Sequence, residues 1–177
     1  MDTIESIDPA RAVCFSGHRP ARLPGKGDPN TPEARTLAAA LRQEIEGAIR
    51  RGKTVYLHGA MAGWDVFCAE QIIALKEQYP YIRLFTVAPY AVHFFTHERC
   101  WTPEWIERAK TVCRLSDYGI SLAENYRQGI YYERNRALVD HSSELICYWD
   151  GGSGGTAYSV EYAHTKGIPV NNLVRVR

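Results

Sequence analysis

Short apolar runs alternate with longer stretches of helical periodicity along almost the whole chain. The runs are rich in β-branched and aromatic residues and are bounded by glycine, proline or charged residues, a pattern that favours buried strands. Strands joined by helices require crossover connections, so the pattern predicts an α/β fold with helices on both faces of a mostly parallel sheet of about six strands. The predicted strands are residues 12–16, 54–58, 82–87, 118–122, 145–149 and 169–173.

The first helical stretch has boundaries that the sequence marks at both ends. Apolar side chains recur every four residues over 32–51, as on one face of a helix. Thr31 suits the N-cap, Pro32 suits the first helical position and Gly52 suits the position after the C-cap. Further helices are predicted over residues 65–78, 90–116 with a break near 101–103, 131–140 and 155–166.

Length and composition place the chain among soluble globular proteins. The 177 residues are predicted to form one domain, 1–177, with residues 1–10 as a short N-terminal extension. The formal net charge is +1, so no bulk field draws the chain to nucleic acid or to an anionic membrane, and neither partner is expected. An acidic N-terminus without a signal peptide, scattered cysteines and no apolar run of bilayer length predict a cytoplasmic protein.

The glycine cluster of residues 151–156 is the strongest functional signal. It follows a predicted strand directly, and threonine closes it at the start of a predicted helix. Glycine lets the backbone approach a ligand closely, and a helix start presents unpaired N–H groups and the positive end of the helix dipole. This arrangement predicts an anion site, most often for phosphate, and the alternative is a glycine-rich turn without a ligand. The candidate residues here are Gly152, Gly154, Gly155 and Thr156.

Two further polar segments follow predicted strands, and each supplies candidates. Because ligands bind outside the carboxyl ends of parallel strands, we expect these segments to share one site with the glycine cluster. Arg19 offers a planar fork for phosphate, or is a surface side chain, while His18 contacts the ligand, acts as an acid or base, or caps its loop. Asp65 caps a helix, binds a ribose hydroxyl or acts as a catalytic acid or base. The glycines of these segments, Gly17, Gly59 and Gly63, are also candidates.

The stretch before and inside the fourth predicted helix adds a third group. Arg134 and Asn135 would neutralise a phosphate, or form a solvated helix face, and Glu133 is an alternative carboxylate. Tyr126 could stack on a base, as could Tyr131, Tyr132 and Tyr158, although tyrosine is also frequent in cores. Arg127 and Gln128 would form the loop at the strand-order reversal in the common strand order, as secondary ligand contacts.

One helical spacing suggests a metal, but the sequence does not favour it. His93, His97 and Cys100 have i, i+4, i+7 spacing, yet aromatic side chains surround them and no fourth ligand is apparent. A plain amphipathic helix is the preferred interpretation, so neither a metal nor a cofactor is predicted.

The segments 16–20, 59–65 and 154–156 together resemble YpsA-like proteins of the SLOG superfamily, which is named for the Smf/DprA DNA-processing proteins and the LOG cytokinin-activating enzymes. Residues 134–136 and 139–140 also resemble the YpsA-like pattern, and the resemblance runs from about residue 13 to residue 173. It implies a Rossmann-like three-layer fold that binds a nucleotide or a nucleotide-derived ligand. Rossmann-like SLOG proteins are often dimers or larger, so a homo-oligomer is expected.

The resemblance to LOG enzymes is incomplete. LOG enzymes hydrolyse the N-glycosidic bond of a nucleoside monophosphate and carry a glutamate three positions after the threonine of the glycine motif. This chain has Ser159 there, and its nearest acid is Glu161, about 200° further around the helix. LOG enzymes also show Arg-Lys where this chain has Arg134 and Asn135.

Three functions follow from these observations. The preferred function is binding, or sensing, of a nucleotide-derived phosphorylated ligand. The first alternative is a nucleotide hydrolase of the LOG type, with Asp65, Glu161 or Glu133 as acid or base. The second is single-stranded nucleic-acid binding in the manner of DprA, which the near-neutral charge argues against.

Overall fold

The computed structural model describes residues 3–91 and 98–174. Within them, six strands form one parallel sheet, which confirms the predicted fold class. The strands are β1 (Ala12–Gly17), β2 (Val55–His58), β3 (Arg83–Ala88), β4 (Tyr118–Ser121), β5 (Glu144–Tyr148) and β6 (Val170–Asn172).

Five α-helices lie within the described residues and connect the strands. They are α1 (Pro32–Arg50), α2 (Trp64–Leu75), α3 (Pro103–Leu115), α4 (Ile130–Asp140) and α5 (Gly155–Thr165). The break predicted near residues 101–103 is confirmed, because α3 begins at Pro103. Residues 90–91 form a bend and a turn rather than helix, and the part of the prediction that falls on residues 92–97 lies outside the described residues. Thr102 caps α3 by accepting a hydrogen bond from the Trp105 N–H at 3.3 Å, and a proline at the first position suits such a start.

The order of the strands in the sheet is β4-β3-β2-β1-β5-β6. Strands β2, β3 and β4 are added in turn on one side of β1. The chain then crosses back, and β5 and β6 are added on the other side of β1. Right-handed crossovers therefore place α1, α2 and α3 on one face and α4 and α5 on the opposite face. The direction of building reverses between β1 and β5, and the crevice there is where ligands bind in such sheets.

Alternating side chains of the strands feed two separate apolar cores. Val13 and Phe15 of β1 pack with α1, α2 and α3, while Ala12 and Cys14 pack with α4 and α5. All four are fully buried, as expected for a central strand covered on both faces. None of the helices in the two described ranges combines the length and the apolar character needed to cross a bilayer.

The carboxyl end of β1 is held very close to α2. A Cβ added to Gly17 would lie 2.3 Å from the Trp64 ring, so only glycine fits there. The Trp64 N–H donates to the His18 carbonyl at 3.0 Å, and its indole N–H donates to the Ile146 carbonyl of β5 at 3.3 Å. This buried tryptophan thus fixes the ends of the two strands that border the crevice.

Candidate functional site

A cavity of about 370 Å³ opens at the crevice between β1 and β5. Its walls come from the carboxyl end of β1, the first turns of α2, α4 and α5, and the loop that follows β5. The residues that line it are Phe15, Ser16, Gly17, His18, Arg19, Arg22, Asp65, Tyr131, Tyr132, Arg134, Asn135, Leu138, Ser153, Gly154, Gly155 and Thr156.

The start of α5 presents unpaired backbone donors to this cavity. Gly154 occupies the N-cap with a φ of 131°, and no side chain caps the helix. Within the described residues, the backbone N–H groups of Gly155, Thr156 and Ala157 have no hydrogen-bond partner. Unpaired N–H groups and the positive end of the helix dipole make this helix start suited to an anion.

Asn135 of α4 fixes the position of that helix start. Its side-chain Nδ2 donates to the Gly155 carbonyl at 3.2 Å, and its Oδ1 accepts from Nε of Arg134 at 2.9 Å. Asn135 is buried, so neither bond competes strongly with water. The second turn of α4 and the glycine turn are therefore joined by a hydrogen bond.

Arg134 is a buried arginine in the wall of the cavity. Its Nη1 donates to the Gly59 carbonyl and lies 3.6 Å from Oδ2 of Asp65, and the two side chains are 6% and 8% exposed. Its other terminal nitrogen, Nη2, makes no hydrogen bond within residues 3–91 and 98–174. A buried guanidinium with a spare donor favours an additional negative group in the cavity.

Asp65 lies in the first turn of α2 but does not cap it. Gly63 occupies the N-cap position, and Oδ2 of Asp65 accepts instead from the Met61 N–H at 3.4 Å. Burial raises the pKa of the Asp65 carboxyl, while Arg134 and Arg19 oppose that shift. A cavity-lining carboxyl that retains its proton more readily than usual is chemically able to act as an acid.

His18 joins the ends of β1 and β5. Its Nε2 accepts from the Asp150 N–H at 3.1 Å and lies 2.9 Å from the Asp150 Oδ1 atom. Burial lowers the pKa of the imidazole, Arg22 acts in the same direction, and Asp150 opposes both. The neutral ring is the form that can accept from the Asp150 N–H, so His18 stabilises this edge of the cavity.

Two arginines stand at the half-exposed rim. Arg22 forms a bidentate ion pair with Asp150, with Nε 3.1 Å from Oδ2. Hydrogen bonds from Arg22 and from the Gly152 N–H lower the pKa of Asp150 to about 2. Nη2 of Arg19 lies 3.3 Å from Oε2 of Glu98. Both arginines line the cavity, so the rim carries two cations beside the buried Arg134.

Tyrosines cover the cavity on the α4 side. Tyr131 and Tyr132 line it, and the Tyr132 ring lies edge-to-face with that of Tyr158, with centroids 4.7 Å apart. Tyr126 is 62% exposed and does not line the cavity; its ring lies 6.4 Å from that of Tyr131. Aromatic contact with a base is therefore available from the first turn of α4.

Three of the predicted glycines support the cavity without lining it. A Cβ on Gly59 would lie 1.8 Å from Nη1 of Arg134, and one on Gly63 would lie 2.5 Å from the His18 carbonyl oxygen. Gly152 donates its N–H to the Asp150 Oδ1 atom at 3.0 Å. These glycines permit close approaches that hold the functional side chains in position.

Only one of the three predicted catalytic carboxyls lines the cavity. Glu133 forms an exposed ion pair with Arg127, and Glu161 is exposed on α5. At the position of the LOG glutamate, Ser159 is 2% exposed and donates its hydroxyl to the Gly155 carbonyl at 3.1 Å. Of the three predicted carboxyls, Asp65 is therefore the one that lies in the wall of the cavity.

The expected position of residues 127–128 is wrong. Strand β4 is at the edge of the sheet, so the loop after it is far along the strand order from the reversal between β1 and β5. Arg127 pairs with Glu133, and neither Arg127 nor Gln128 lines the cavity. His93 and His97, the other part of the metal alternative, lie outside the described residues.

Sequence reasoning missed four polar residues of this site. Arg22, Ser16 and Ser153 line the cavity, and Asp150 holds Arg22 and His18. Asp150 carries a recognisable signal, because it stands directly between a strand and the glycine cluster. The Arg22–Asp150 pair joins residues 128 positions apart, and no local pattern indicates it.

Comparison with known proteins shows the family of the chain. Residues 13–170 match the family model for YpsA, described as a "YspA SLOG family". The UPF0398 protein YpsA of Bacillus subtilis is 21% identical over 148 residues, which cover 82% of this chain and 79% of that protein. A UPF0398 protein of Brevibacillus brevis is 24% identical over 124 residues, covering 69% of this chain and 60% of that protein.

Two solved structures share the fold. DNA processing protein A from Helicobacter pylori, whose structure was described for its single-stranded DNA binding mode, has a TM-score of 0.61 and 16% identity. That match covers 95% of this chain and 67% of the other. DprA from Streptococcus pneumoniae has a TM-score of 0.55 and 13% identity, covering 96% of this chain and 50% of the other.

Proposed function

The chain belongs to the YpsA family of SLOG proteins, and from that premise we propose that it binds a phosphorylated, nucleotide-derived molecule at the carboxyl edge of its Rossmann-like sheet. One observation carries the proposal: the uncapped start of α5 and the spare Nη2 donor of Arg134 belong to the same cavity. Backbone N–H groups and a guanidinium fork are the two protein groups best matched to a phosphate.

The rest of the cavity suits the other parts of a nucleotide. The phosphate lies at the start of α5, where the backbone N–H groups of Gly155, Thr156 and Ala157 have no partner among the described residues. The buried Asp65 is a suitable acceptor for ribose hydroxyls, and the rings of Tyr131 and Tyr132 offer a stacking surface for a base. A volume of about 370 Å³ lies within the range of about 300–1,000 Å³ that small-molecule sites occupy.

A pair of substitutions at Gly155 tests the role of the α5 start. Gly155→Pro removes one cavity N–H, while proline remains favourable at the first position of a helix. Gly155→Ala keeps the N–H and places a Cβ in ordinary contact, 3.6 Å from Nδ2 of Asn135. Binding of nucleoside mono- and diphosphates, followed by calorimetry, is expected to weaken about tenfold or more in the proline variant relative to the alanine variant.

Two results would contradict phosphate binding by these N–H groups. Equal affinity of the two variants for every nucleotide would exclude the α5 start as the phosphate site. Melting temperatures of the unliganded variants are the control for helix damage. The proposal fails altogether if no phosphorylated nucleoside raises the melting temperature of the unsubstituted protein.

A second candidate, hydrolysis of an N-glycosidic bond, is favoured by Asp65. Its carboxyl lines the cavity, and its pKa is raised by burial, so it is placed to protonate a leaving base. Asp65→Asn should then abolish release of base and ribose phosphate while nucleotide binding persists. Binding without any released base, in the unsubstituted protein, leaves the sensor function and excludes the hydrolase.

The same panel decides on nucleic acid. The Helicobacter pylori neighbour is described for single-stranded DNA binding, whereas this chain has a formal net charge of +1. Non-specific binding of a strand requires many phosphate contacts and weakens steeply with salt. The probe is a single strand of about 12 nucleotides, a length that one or two single-strand-binding domains typically cover. Tight, salt-sensitive binding of this strand, without binding of mononucleotides, would favour single-stranded nucleic-acid binding as the function.

A further inference from the structure

A second cavity, of about 830 Å³, lies beside the first. Arg19 lines both cavities, so its side chain stands at the boundary between them. The second cavity is bordered by the loop between β1 and α1 and by the segment that leads into α3. Its lining residues are Arg19, Pro20, Ala21, Gly25, Lys26, Asp28, Thr31, Arg99, Cys100, Thr102, Glu104 and Trp105.

Two of the three basic side chains that line this cavity, Lys26 and Arg99, form no ion pair within the two described ranges. Their side chains also make no hydrogen bond with any other described residue. Two acids also line the cavity: Asp28 accepts from Asn30, and Glu104 lies 3.8 Å from Arg108. Arg19, at the boundary, lies 3.3 Å from Glu98, so a phosphate there would compete with that half-exposed ion pair. The two unpaired cations, Lys26 and Arg99, favour a second anionic group.

The backbone beneath Lys26 is held in an uncommon conformation. Gly25, Lys26 and Gly27 have φ values of 55°, 53° and 72°. A positive φ is disfavoured at lysine, and the residue in this conformation is one that lines the cavity. Gly27 lies against the ring of Trp105, where an added Cβ would be 3.1 Å from the ring.

Apart from the hydroxyls of Thr31 and Thr102, the remainder of the lining is mostly apolar. Trp105 is 5% exposed and Arg108 lies over its ring, so this wall accepts a base or a ribose face through apolar contact with Pro20 and Ala21 rather than by aromatic stacking. An apolar wall with cations at one side suits one nucleoside and its phosphate. The first cavity suits the same kind of unit, but it does so with different protein groups.

We propose that the two cavities form one binding site for a ligand of two nucleotide units joined through phosphate, with one unit in each cavity and Arg19 at the linking phosphate. The proposal rests on the proposed function of the first cavity and names the ligand class of that same site. A single nucleotide fills the first cavity and leaves the second, larger one empty.

Paired ligands test this inference directly. The probes are 5′-phosphorylated dinucleotides, pApA, pGpG and pUpU, each compared by calorimetry with its own nucleoside 5′-monophosphate. At least one dinucleotide is expected to bind about tenfold more tightly than its monophosphate, the effect of one further charge-assisted contact.

Substitutions in the second cavity assign that gain. Lys26→Gln/Arg99→Gln removes two positive charges and should abolish the dinucleotide advantage while monophosphate affinity stays within about twofold, since the first cavity is unchanged. Arg50→Gln/Arg114→Gln removes the same charge at exposed helix positions outside both cavities and should leave the advantage intact. Equal loss in both double variants would show a bulk charge effect and overturn the inference.

Failure of the inference is distinguishable from failure of the proposed function. If monophosphates bind and no dinucleotide binds more tightly, the second cavity is not part of the site, and the first cavity keeps its role. If neither kind of ligand binds, the proposed function and the inference are both wrong.

Discussion

The two neighbouring cavities are bordered by helix starts of opposite kinds. The helices that begin at the first cavity, α2, α4 and α5, each follow a glycine N-cap and have no side-chain cap. The helices that begin at the second cavity, α1 and α3, have threonine N-caps, Thr31 and Thr102, and proline at the first position.

This difference separates two ways of binding an anion. Around the first cavity, and most clearly at α5, backbone N–H groups are left open for a ligand. At each helix start of the second cavity, a threonine hydroxyl accepts from one of those N–H groups, so we expect an anion there to be bound mainly by Lys26, Arg99 and Arg19. A glycine N-cap makes a helix less stable than a threonine N-cap by about a few tenths of a kcal/mol, and we expect a bound phosphate to offset that difference.

The largest expected effect comes from the buried arginine of the first cavity. Arg134→Met leaves Asp65 without its cation and the Gly59 carbonyl without its donor, so we expect a loss of about 3–5 kcal/mol in the free energy of unfolding. Urea denaturation measures it. The matched control is Arg22→Met, which removes an arginine of the same cavity whose half-exposed ion pair should contribute far less. Similar losses in both variants would contradict the importance of burial.

The glycine at the start of α5 is expected to have the next largest effect. Gly154 has a φ of 131°, and an added Cβ would meet nothing within 4 Å, so Gly154→Ala introduces backbone strain alone. The cost is about 1–3 kcal/mol in unfolding free energy, or a shift of the helix start. Nucleotide binding should weaken in the same variant because the N–H groups move. Unchanged stability and unchanged affinity together would show that the conformation of Gly154 is unimportant.

The capped start of α1 gives the contrasting result. Thr31 Oγ1 accepts from the Ala34 N–H at 3.3 Å and donates to the Asp28 carbonyl at 2.8 Å. Thr31→Ala should lower the unfolding free energy by about 1 kcal/mol, while monophosphate affinity stays the same. Thr31→Ser keeps the hydroxyl and serves as the control. A change in monophosphate affinity would break the separation between the two kinds of helix start.

The contrast between the helix starts is predictable from the sequence in part: the local pattern also allows Asp65 as a cap for α2, whose N-cap is Gly63. Thr31 before Pro32, and glycines followed by Thr156, are local signals, and the structure places both as expected. The sequence also predicts the break near residues 101–103, and α3 begins there with Thr102 as its N-cap and Pro103 at its first position.

The strand order and the long-range ion pairs are not predictable in the same way. The expectation for Arg127 and Gln128 is wrong because the hydrophobic pattern predicts how many strands there are but not the order in which they lie in the sheet. Arg22 and Asp150 meet only because β1 and β5 are neighbours in the sheet. Which residues meet at the site depends on the strand order. The glycines and Arg134, by contrast, can be identified as candidates from the sequence alone.

The smallest effect is a pH dependence with opposite signs at two carboxyls of the same region. Asp150 has a pKa of about 2, below its ordinary 3.8, so its ionised form contributes stability above pH 3.8 that is lost as the pH falls through 2. Asp65, whose pKa is raised, behaves oppositely: its proton stabilises the fold at low pH, and that contribution is lost as the pH rises through its folded-state pKa.

Urea denaturation over a pH series from about 2 to about 6, which spans the ordinary carboxyl range, separates the two contributions. Asp150→Asn should show a stability deficit relative to the unsubstituted protein that shrinks as the pH falls, because protonation removes the same charge. A deficit that is the same at both ends of the series would mean that Arg22 does not hold this carboxylate in solution. A ligand could then reach the rim of the first cavity without displacing the Arg22–Asp150 ion pair. In the second cavity, Lys26 and Arg99 have no acidic partner among the described residues. The two cavities would then differ only in how their helices start.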